Sequence, residues 1–212
     1  MVVRAERALG AVVGSAVGDA LGAPFEFGPE GAFSDRFPEP GHGGEMCGGG
    51  GWDPGEATDD TQMAVLVAES LLECGGLELP DVFRRFQRWA AAEPKDIGLQ
   101  TEAVLSSGDP WDSAAALHFQ VSQRAAGNGA LMRAAPSAVY FAAHGREATM
   151  AAAGATPPSW PPTGTRTRPR SSTVPYGPAW APPSGRCVRR PRTRQPYAPR
   201  STWAATRTRW RR

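Results

Sequence analysis

The sequence predicts an all-α domain that stops early and is followed by a basic tail without a hydrophobic core. Through residue 147, apolar side chains recur at the three- and four-residue spacing of helices, and nowhere do they alternate as in a β-strand. All 21 acidic residues lie between Glu6 and Glu147. From residue 148 onward there are 13 Arg and 12 Pro, but no Asp, Glu, Leu, Ile or Phe. Such a segment has too little apolar surface to fold by itself.

Charge divides the chain at the same place. At 212 residues, the chain has room for one domain, or for one domain and a tail. Residues 1–147 carry 10 basic and 21 acidic residues, a net charge of −11, whereas the remainder carries +13. We therefore predict a truncated helical domain over residues 1–149 and a disordered tail rich in Arg and Pro over residues 150–212.

Cysteine usage and the N-terminus predict a cytoplasmic protein that is not attached to a membrane. Cys47, Cys74 and Cys187 have neither paired nor metal-type spacing, so neither a disulfide framework nor a zinc site is expected. No apolar run approaches about 18 residues, and a basic-then-apolar secretory pattern is lacking at the N-terminus.

The first helix is predicted over residues 4–22, where small and apolar side chains form one stripe over five turns. Gly22 and Pro24 end it. Asp19 falls within the last apolar turn, where a carboxylate is unusual unless it is paired or acts as a ligand. Glu26 follows in an otherwise apolar segment. The alternative for both carboxylates is a structural role, in which they accept hydrogen bonds from backbone N–H groups.

A long loop is predicted over residues 28–56, which contain ten glycines and four prolines and show no period. Loops of this length are usually functional or disordered. Because this one connects two acidic segments, an active-site loop is favoured. Its four consecutive glycines, residues 48–51, would let the backbone approach a ligand closely.

Further helices are predicted after Thr58, from Pro80, from Thr101 to Leu105, and after residues 127–129, with Pro136 kinking or restarting the last one. The positions expected to be buried in the second and third helices are Met63, Leu66, Val67, Leu71, Cys74, Val82, Phe83, Phe86 and Trp89. The arginines expected on the solvated face of the third helix are Arg84, Arg85 and Arg88.

The segment Thr58-Asp59-Asp60-Thr61 places a hydroxyl and two adjacent carboxylates at the start of a helix. These all-oxygen donors are the ligands that hard cations such as Mg²⁺ and Mn²⁺ prefer. The alternative is a helix cap, since Thr is a good N-cap residue and Asp in the first turn complements the helix dipole.

Three segments occur in an order and spacing that resemble the ADP-ribosyl-glycohydrolase family, which includes the dinitrogenase-reductase-activating glycohydrolases. The segments are Gly14-Ser15-Ala16-Val17-Gly18-Asp19-Ala20-Leu21-Gly22-Ala23-Pro24-Phe25-Glu26, Thr58-Asp59-Asp60-Thr61-Gln62-Met63 and Gly127-Asn128-Gly129-Ala130-Leu131-Met132-Arg133. The resemblance covers about residues 4–147 and includes the Asp96-Ile97-Gly98 turn.

The resemblance implies an orthogonal all-α bundle with two Mg²⁺ or Mn²⁺ ions, which hydrolyses the glycosidic bond between ADP-ribose and a modified protein side chain or small molecule. Thr58, Asp59, Asp60 and Glu26 would hold metal, and the last three would be the catalytic carboxylates. The residues implied in substrate binding are Asp19, which would support the metal shell, and Gly127, Asn128 and Gly129, whose backbone N–H groups would face phosphate. ADP-ribose or an ADP-ribosylated protein would be the partner.

The chain departs from this family at its C-terminal end. A second acidic motif, about Gly-Gly-Asp-Thr-Asp-Thr-Val-Ala, is expected there, but no acidic residue follows Glu147. In GC-rich codons, Asn-Leu and this motif read AAC CTG GGC GGC GAC ACG GAC ACG GTG GCG. Displaced by one base, they read Thr-Trp-Ala-Ala-Thr-Arg-Thr-Arg-Trp, which is the sequence of residues 202–210. We therefore expect a frameshift between about residues 150 and 171, and an inactive or impaired chain.

Other interpretations of the tail stay open. It could be a basic arm that binds RNA or DNA through phosphate charge and aromatic stacking, or a Pro-rich interaction segment. Neither predicts the codon match, so nucleic acid is a disfavoured partner. The alternative function is that of a non-catalytic ADP-ribose-binding or nucleic-acid-binding protein.

Overall fold

The structure is a computed structural model that describes residues 2–39, 44–123 and 127–155. Within these residues the chain forms nine α-helices and no strand, which confirms the predicted all-α fold. The helices are α1 Val2–Gly22, α2 Ala32–Arg36, α3 Asp59–Cys74, α4 Leu79–Ala90, α5 Leu99–Ser106, α6 Ala114–Ser122, α7 Gly129–Met132, α8 Ala135–Phe141 and α9 Arg146–Ala155.

The core lies between α3 and α4 and is covered by α5, α8 and α9. Burying these apolar side chains is the main favourable contribution to folding. Met63, Val67 and Val82 are completely buried. The remaining members of the core are Leu66, Leu71, Phe83, Phe86, Trp89, Leu105, Ala114, Phe141 and Ala152. The faces predicted from helical spacing are therefore confirmed, except at Cys74, which is only half-buried.

Helix ends follow the local sequence signals. The residue after α3 is Gly75, which has φ +72° in the left-handed region and ends the helix. Pro136 lies in the first turn of α8, where its missing N–H costs nothing. Two separate helices, α7 and α8, therefore replace one continuous helix, so the predicted restart at this proline is confirmed.

Arg85 does not lie on a solvated face as predicted. Its guanidinium is buried between α3 and α4 and binds three carboxylates, at 2.6 Å from Asp81, 2.7 Å from Glu73 and 3.3 Å from Glu69. Arg84 is exposed, as expected. The helical period could not predict the difference, because Arg85 is buried only once the acidic residues of α3 pack against it.

Two further expectations need correction. The loop over residues 28–56 contains the short helix α2. Cys74 forms a disulfide although the cysteine spacing does not indicate one. The domain boundary predicted after residue 149 stays a prediction, and α9 extends through this position and buries Ala152 in the core. Residues 156–212, which include nearly all of the predicted tail, lie outside the part that the structure describes.

α1 lies at the edge of the bundle and contacts α3 and α8. Much of its apolar surface is exposed, including Leu9 at 64% and Val13 at 48%. By length and composition alone, Arg4–Phe25 also meets the criteria for a membrane-spanning helix, as core helices of soluble proteins do. An exposed apolar surface of this kind favours self-association.

Replacing Leu9 or Val13 by Glu should therefore reduce aggregation while changing the free energy of unfolding by less than about 0.5 kcal/mol, because both side chains are exposed. Light scattering and thermal unfolding would measure the two effects. The matched control is Leu71→Ala, which empties a buried site and should cost about 2–5 kcal/mol. Equal destabilisation by L9E and L71A would show that α1 is covered in solution.

Candidate functional site

The carboxylate of Asp19 joins the end of α1 to the start of α3. Its Oδ1 accepts a hydrogen bond from Thr58 Oγ1 at 2.8 Å. Its Oδ2 accepts from Thr58 N at 3.0 Å, Thr61 N at 3.2 Å and Thr61 Oγ1 at 2.5 Å. The backbone N–H groups at this helix start have no partner within the helix itself, so a carboxylate placed there binds them strongly. Asp19 thus fixes the position of the whole acidic segment.

Thr58 is the N-cap of α3, as the structural alternative predicted. Its backbone is extended and its Oγ1 accepts a hydrogen bond from Asp60 N at 3.2 Å. The cap sets the direction in which Asp59 and Asp60 leave the first turn. Asp59 is buried and Asp60 is half-buried. Capping and ligand binding are compatible here, because a hydroxyl oxygen has two lone pairs and its proton is directed to Asp19.

Burial and repulsion between carboxylates, in that order, raise the pKa values of three acidic side chains at the site. Partial burial raises the pKa of Asp60 to about 6, with the negative charges of Asp59, Asp19 and Glu26 adding to the effect. Burial likewise raises the pKa of Glu26, helped by Asp96, Asp59 and Asp19. The predicted metal ligands of two separate segments, Glu26 and residues 58–60, thus lie close enough to affect each other's charge, although Glu26 itself is exposed.

Asp96 belongs to this acidic cluster and was not predicted as a site residue. Burial raises the pKa of Asp59, and the charge of Asp96 is the next largest cause. Asp59 also accepts a hydrogen bond from the backbone N–H of Gly98, which lowers its pKa and ties the 96–98 turn to α3. The sequence signal was present, since Asp96-Ile97-Gly98 belongs to the resemblance, but its isolated carboxylate suggested no ligand pattern.

The segment of Gly127, Asn128 and Gly129 lies beside α5 and leads into α7. A Cβ atom on Gly129 would lie 3.1 Å from Arg133 Nη1 and 3.4 Å from Thr101 Oγ1. One on Gly127 would lie 3.2 Å from Gln100 Oε1. Glycine is therefore the residue that permits this close packing. The predicted contact of these backbone N–H groups with phosphate stays a prediction.

Arg133 links this glycine segment to the acidic cluster. Its guanidinium is buried, lies 3.8 Å from Met63 Sδ, and sits over the ring of Phe86 with 5.0 Å to the centroid. Burial lowers the pKa of Arg133 to about 10, and the negative charge of Asp59 opposes that shift. At neutral pH the side chain remains a cation, so it offsets part of the negative charge around Asp59.

An enclosed ADP-ribose pocket is not formed by these groups. The cavity beside Arg133 is about 30 Å³ and is lined largely by apolar side chains, among them Met63, Phe83 and Phe86. That volume holds about one or two water molecules.

Taken over residues 2–39, 44–123 and 127–155, no group of three or more His, Cys, Asp or Glu side chains has the geometry to hold a metal ion. What the site offers is an oxygen-rich surface with excess negative charge. The oxygen atoms at the start of α3 come from Thr58, Asp59 and Asp60. Two other segments contribute the carboxylates of Glu26 and Asp96. Such a surface can attract a cation or accept a proton near neutral pH.

Sequence comparison decides the family. The ADP-ribosylglycohydrolase family model matches residues 2–156, nearly three quarters of the chain. The chain belongs to the ADP-ribosylglycohydrolase family. The match contains every predicted site residue, and it confirms the family that the three sequence segments indicated.

Several relatives share the same region with this ADP-ribosylglycohydrolase chain. The ADP-ribosyl-[dinitrogen reductase] glycohydrolase of Rhodospirillum rubrum is 37% identical over 142 residues, covering 66% of this chain and 46% of that protein. The ADP-ribosylarginine hydrolase Tri1 of Serratia proteamaculans is 34% identical over 148 residues, covering 64% of this chain and 37% of that protein. The chain therefore spans less than half the length of these curated relatives.

The hydrogen bonds of Asp19 predict a large structural effect of its removal. Asp19→Ala should destabilise the chain by about 2–4 kcal/mol, because several part-buried donors lose a charged acceptor together. Thermal or urea unfolding would measure the loss. Asp35→Ala is the control, since Asp35 is exposed on α2. If D19A unfolds like D35A, these hydrogen bonds do not hold the two helices together in solution.

The raised pKa of Asp60 predicts a pH dependence of stability. The unfolded chain loses this proton near pH 4 and the folded chain near pH 6, so stability should fall as pH rises through that interval and then level off. Asp60→Asn removes the charge and should stabilise the metal-free chain above pH 6 by about 1 kcal/mol, after allowance for solvent screening. Chemical unfolding at pH 4, 6 and 8 would test this. A stability difference independent of pH would contradict charge repulsion as its cause.

Proposed function

We propose that the intact form of this protein is a metal-dependent hydrolase that removes ADP-ribose from modified proteins or small molecules, and that this chain is inactive or impaired. The observation that carries the proposal is the clustering of Thr58, Asp59, Asp60 and Glu26 within the residues that match the family. The names of the relatives, an ADP-ribosyl-[dinitrogen reductase] glycohydrolase and an ADP-ribosylarginine hydrolase, support an ADP-ribosylated protein as substrate.

The donor chemistry of the cluster fits one side of a divalent metal centre. All its donors are oxygen atoms, which suit Mg²⁺ or Mn²⁺. The pKa values of Glu26, Asp59 and Asp60 are all raised, so a bound cation would relieve their mutual repulsion. Divalent-metal dependence is a property of the family. In an intact centre, further ligands would come from the part of the relatives that this chain does not match.

The chain's own residues suggest how hydrolysis would proceed. Bound divalent ions would orient the ribose hydroxyls and make a water molecule more acidic. Asp60, with its pKa near 6, or Glu26 could take a proton from that water close to neutral pH. Arg133 moderates the charge around Asp59 from inside the protein. Asp19 acts indirectly, because its hydrogen bonds fix the positions of Thr58 and Thr61.

The impairment is proposed from the sequence after residue 147. That segment contains no carboxylate, so it cannot complete an all-oxygen site with Asp ligands. The match to the family model ends at residue 156, inside the interval from 150 to 171 where a frameshift would explain the composition. A slipped reading frame accounts for the abundant Arg, Pro and Trp and for residues 202–210 together.

Resequencing the gene tests the frameshift. We expect the other reading frame after about residue 150 to encode Leu-, Ile- and Phe-containing helices and an Asp-x-Asp-Thr motif. A reading frame without that motif would refute the frameshift, and the tail would then be a genuine basic segment.

Calorimetric titration with ADP-ribose, with and without Mg²⁺, tests the activity proposal on two proteins: this chain and a frame-restored version. The restored protein should bind in a Mg²⁺-dependent manner and release ADP-ribose from an ADP-ribosylated protein, and D60N should lower its turnover at least about 100-fold. This chain should neither bind ADP-ribose in a Mg²⁺-dependent manner nor release ADP-ribose from an ADP-ribosylated protein. Tight Mg²⁺-dependent binding by this chain would contradict its impairment, and binding without turnover in the restored protein would favour a non-catalytic ADP-ribose-binding function.

A further inference from the structure

Lys95 directly precedes Asp96 and is the single lysine among 212 residues, against 22 arginines. Its ammonium group lies 2.5 Å from Glu56 Oε2 and 4.4 Å from the centroid of the Trp52 ring. The compact lysine head group can make both contacts at once. We call these three side chains the clasp.

The clasp joins the glycine-rich loop to the turn that carries Asp96. Trp52 and Glu56 belong to the loop, and Lys95 directly precedes Asp96. Glu56 Oε2 also accepts a hydrogen bond from Asp53 N at 2.8 Å, which shapes the loop around the ion pair. Trp52 is buried, so the loop end of the clasp is anchored in the fold.

The other side of the same loop rests on the segment that leads to Glu26. Gly49 and Trp52 exchange two backbone hydrogen bonds, of 3.0 and 2.8 Å, which close a tight turn. Gly50 has φ +58°, and a Cβ atom there would lie 3.1 Å from the carbonyl oxygen of Pro24. The turn can approach Pro24 this closely because it carries no side chain. Glu26 follows two residues later.

The loop therefore lies between the segments that carry Glu26 and Asp96, and burial followed by the negative charge of Asp96 raises the pKa of Glu26. Repulsion between them would push their segments apart unless something holds them. We propose that Lys95 is a positioning residue: through Trp52 and Glu56 it holds the Asp96 turn against the loop, and through the loop it fixes the spacing of the acidic cluster. The inference rests on the proposed function only where it extends to cation affinity.

Hydrogen exchange on the full-length chain tests the clasp directly. Lys95→Met removes the charge and keeps a long apolar stem, while Lys95→Arg keeps a cation that can both pair and stack. Arg84→Met is the matched control, because Arg84 is an exposed cation paired with a carboxylate of its own helix. K95M should lower amide protection about tenfold at residues 94–98 and also at residues 23–28. In K95R and R84M, amide protection in both segments should change by no more than about twofold.

Protection lost only around residue 95, or lost equally in R84M, would overturn the positioning role. Glu56→Gln gives a second measurement, because it keeps the size of the side chain and removes the ion pair. The K95M and E56Q effects on protection should be non-additive in the double variant. Additive effects would show that the two side chains act separately and would also overturn the proposal.

Mn²⁺ titration followed by water-proton relaxation separates this inference from the proposed function. If the parent chain binds Mn²⁺, K95M should weaken the affinity about three- to tenfold and K95R should restore it. Equal Mn²⁺ affinities in the parent chain and K95M would show that the clasp does not influence cation binding by the acidic cluster. If the parent chain binds no Mn²⁺, that result agrees with the proposed incomplete metal centre, and the exchange at residues 23–28 alone decides whether Lys95 positions the Glu26 segment.

Discussion

The hydrogen bonds between Asp19 and the start of α3 are the constraint on which the site depends. A single carboxylate accepts from two backbone N–H groups and two hydroxyl groups, all on Thr58 and Thr61. It neutralises part of the positive end of the α3 dipole and fixes the rotation of the first turn. Because Asp59 and Asp60 lie between the two threonines, their direction is set by the same contacts. The edge helix α1 thereby determines where the acidic cluster lies.

This arrangement brings several carboxylates close together, and two neighbouring groups reduce the electrostatic repulsion between them. Gly98 donates a hydrogen bond to Asp59, and the buried Arg133 places a cation within reach of the same carboxylate. The pKa values of Asp59, Asp60 and Glu26 nevertheless remain raised. Partial burial and like charges thus make these carboxylates harder to ionise, at a surface where Glu26 remains exposed. This is the pattern expected at functional sites.

Much of the apolar surface of α1 is exposed in the described residues. The chain covers 46% of the length of the Rhodospirillum rubrum relative, and the matched part ends close to the end of α9. In the described residues α1 is packed by α3 and α8, while Leu9 and Val13 remain largely exposed.

By itself, the sequence determined the helices α1, α3, α4 and α5, the apolar buried faces of α3 and α4, the cap at Thr58, the restart at Pro136 and the family, because these depend on periodicity and on short motifs. It also identified Glu26, Asp59 and Asp60 as one group by resemblance. Only the tertiary structure decided how Asp19 acts, which segment Asp96 approaches, and that Arg85 is buried. Asp19 meets its partners 39 and 42 residues along the chain. Such contacts depend on how the helices pack, and neither a helical period nor a local motif records that packing.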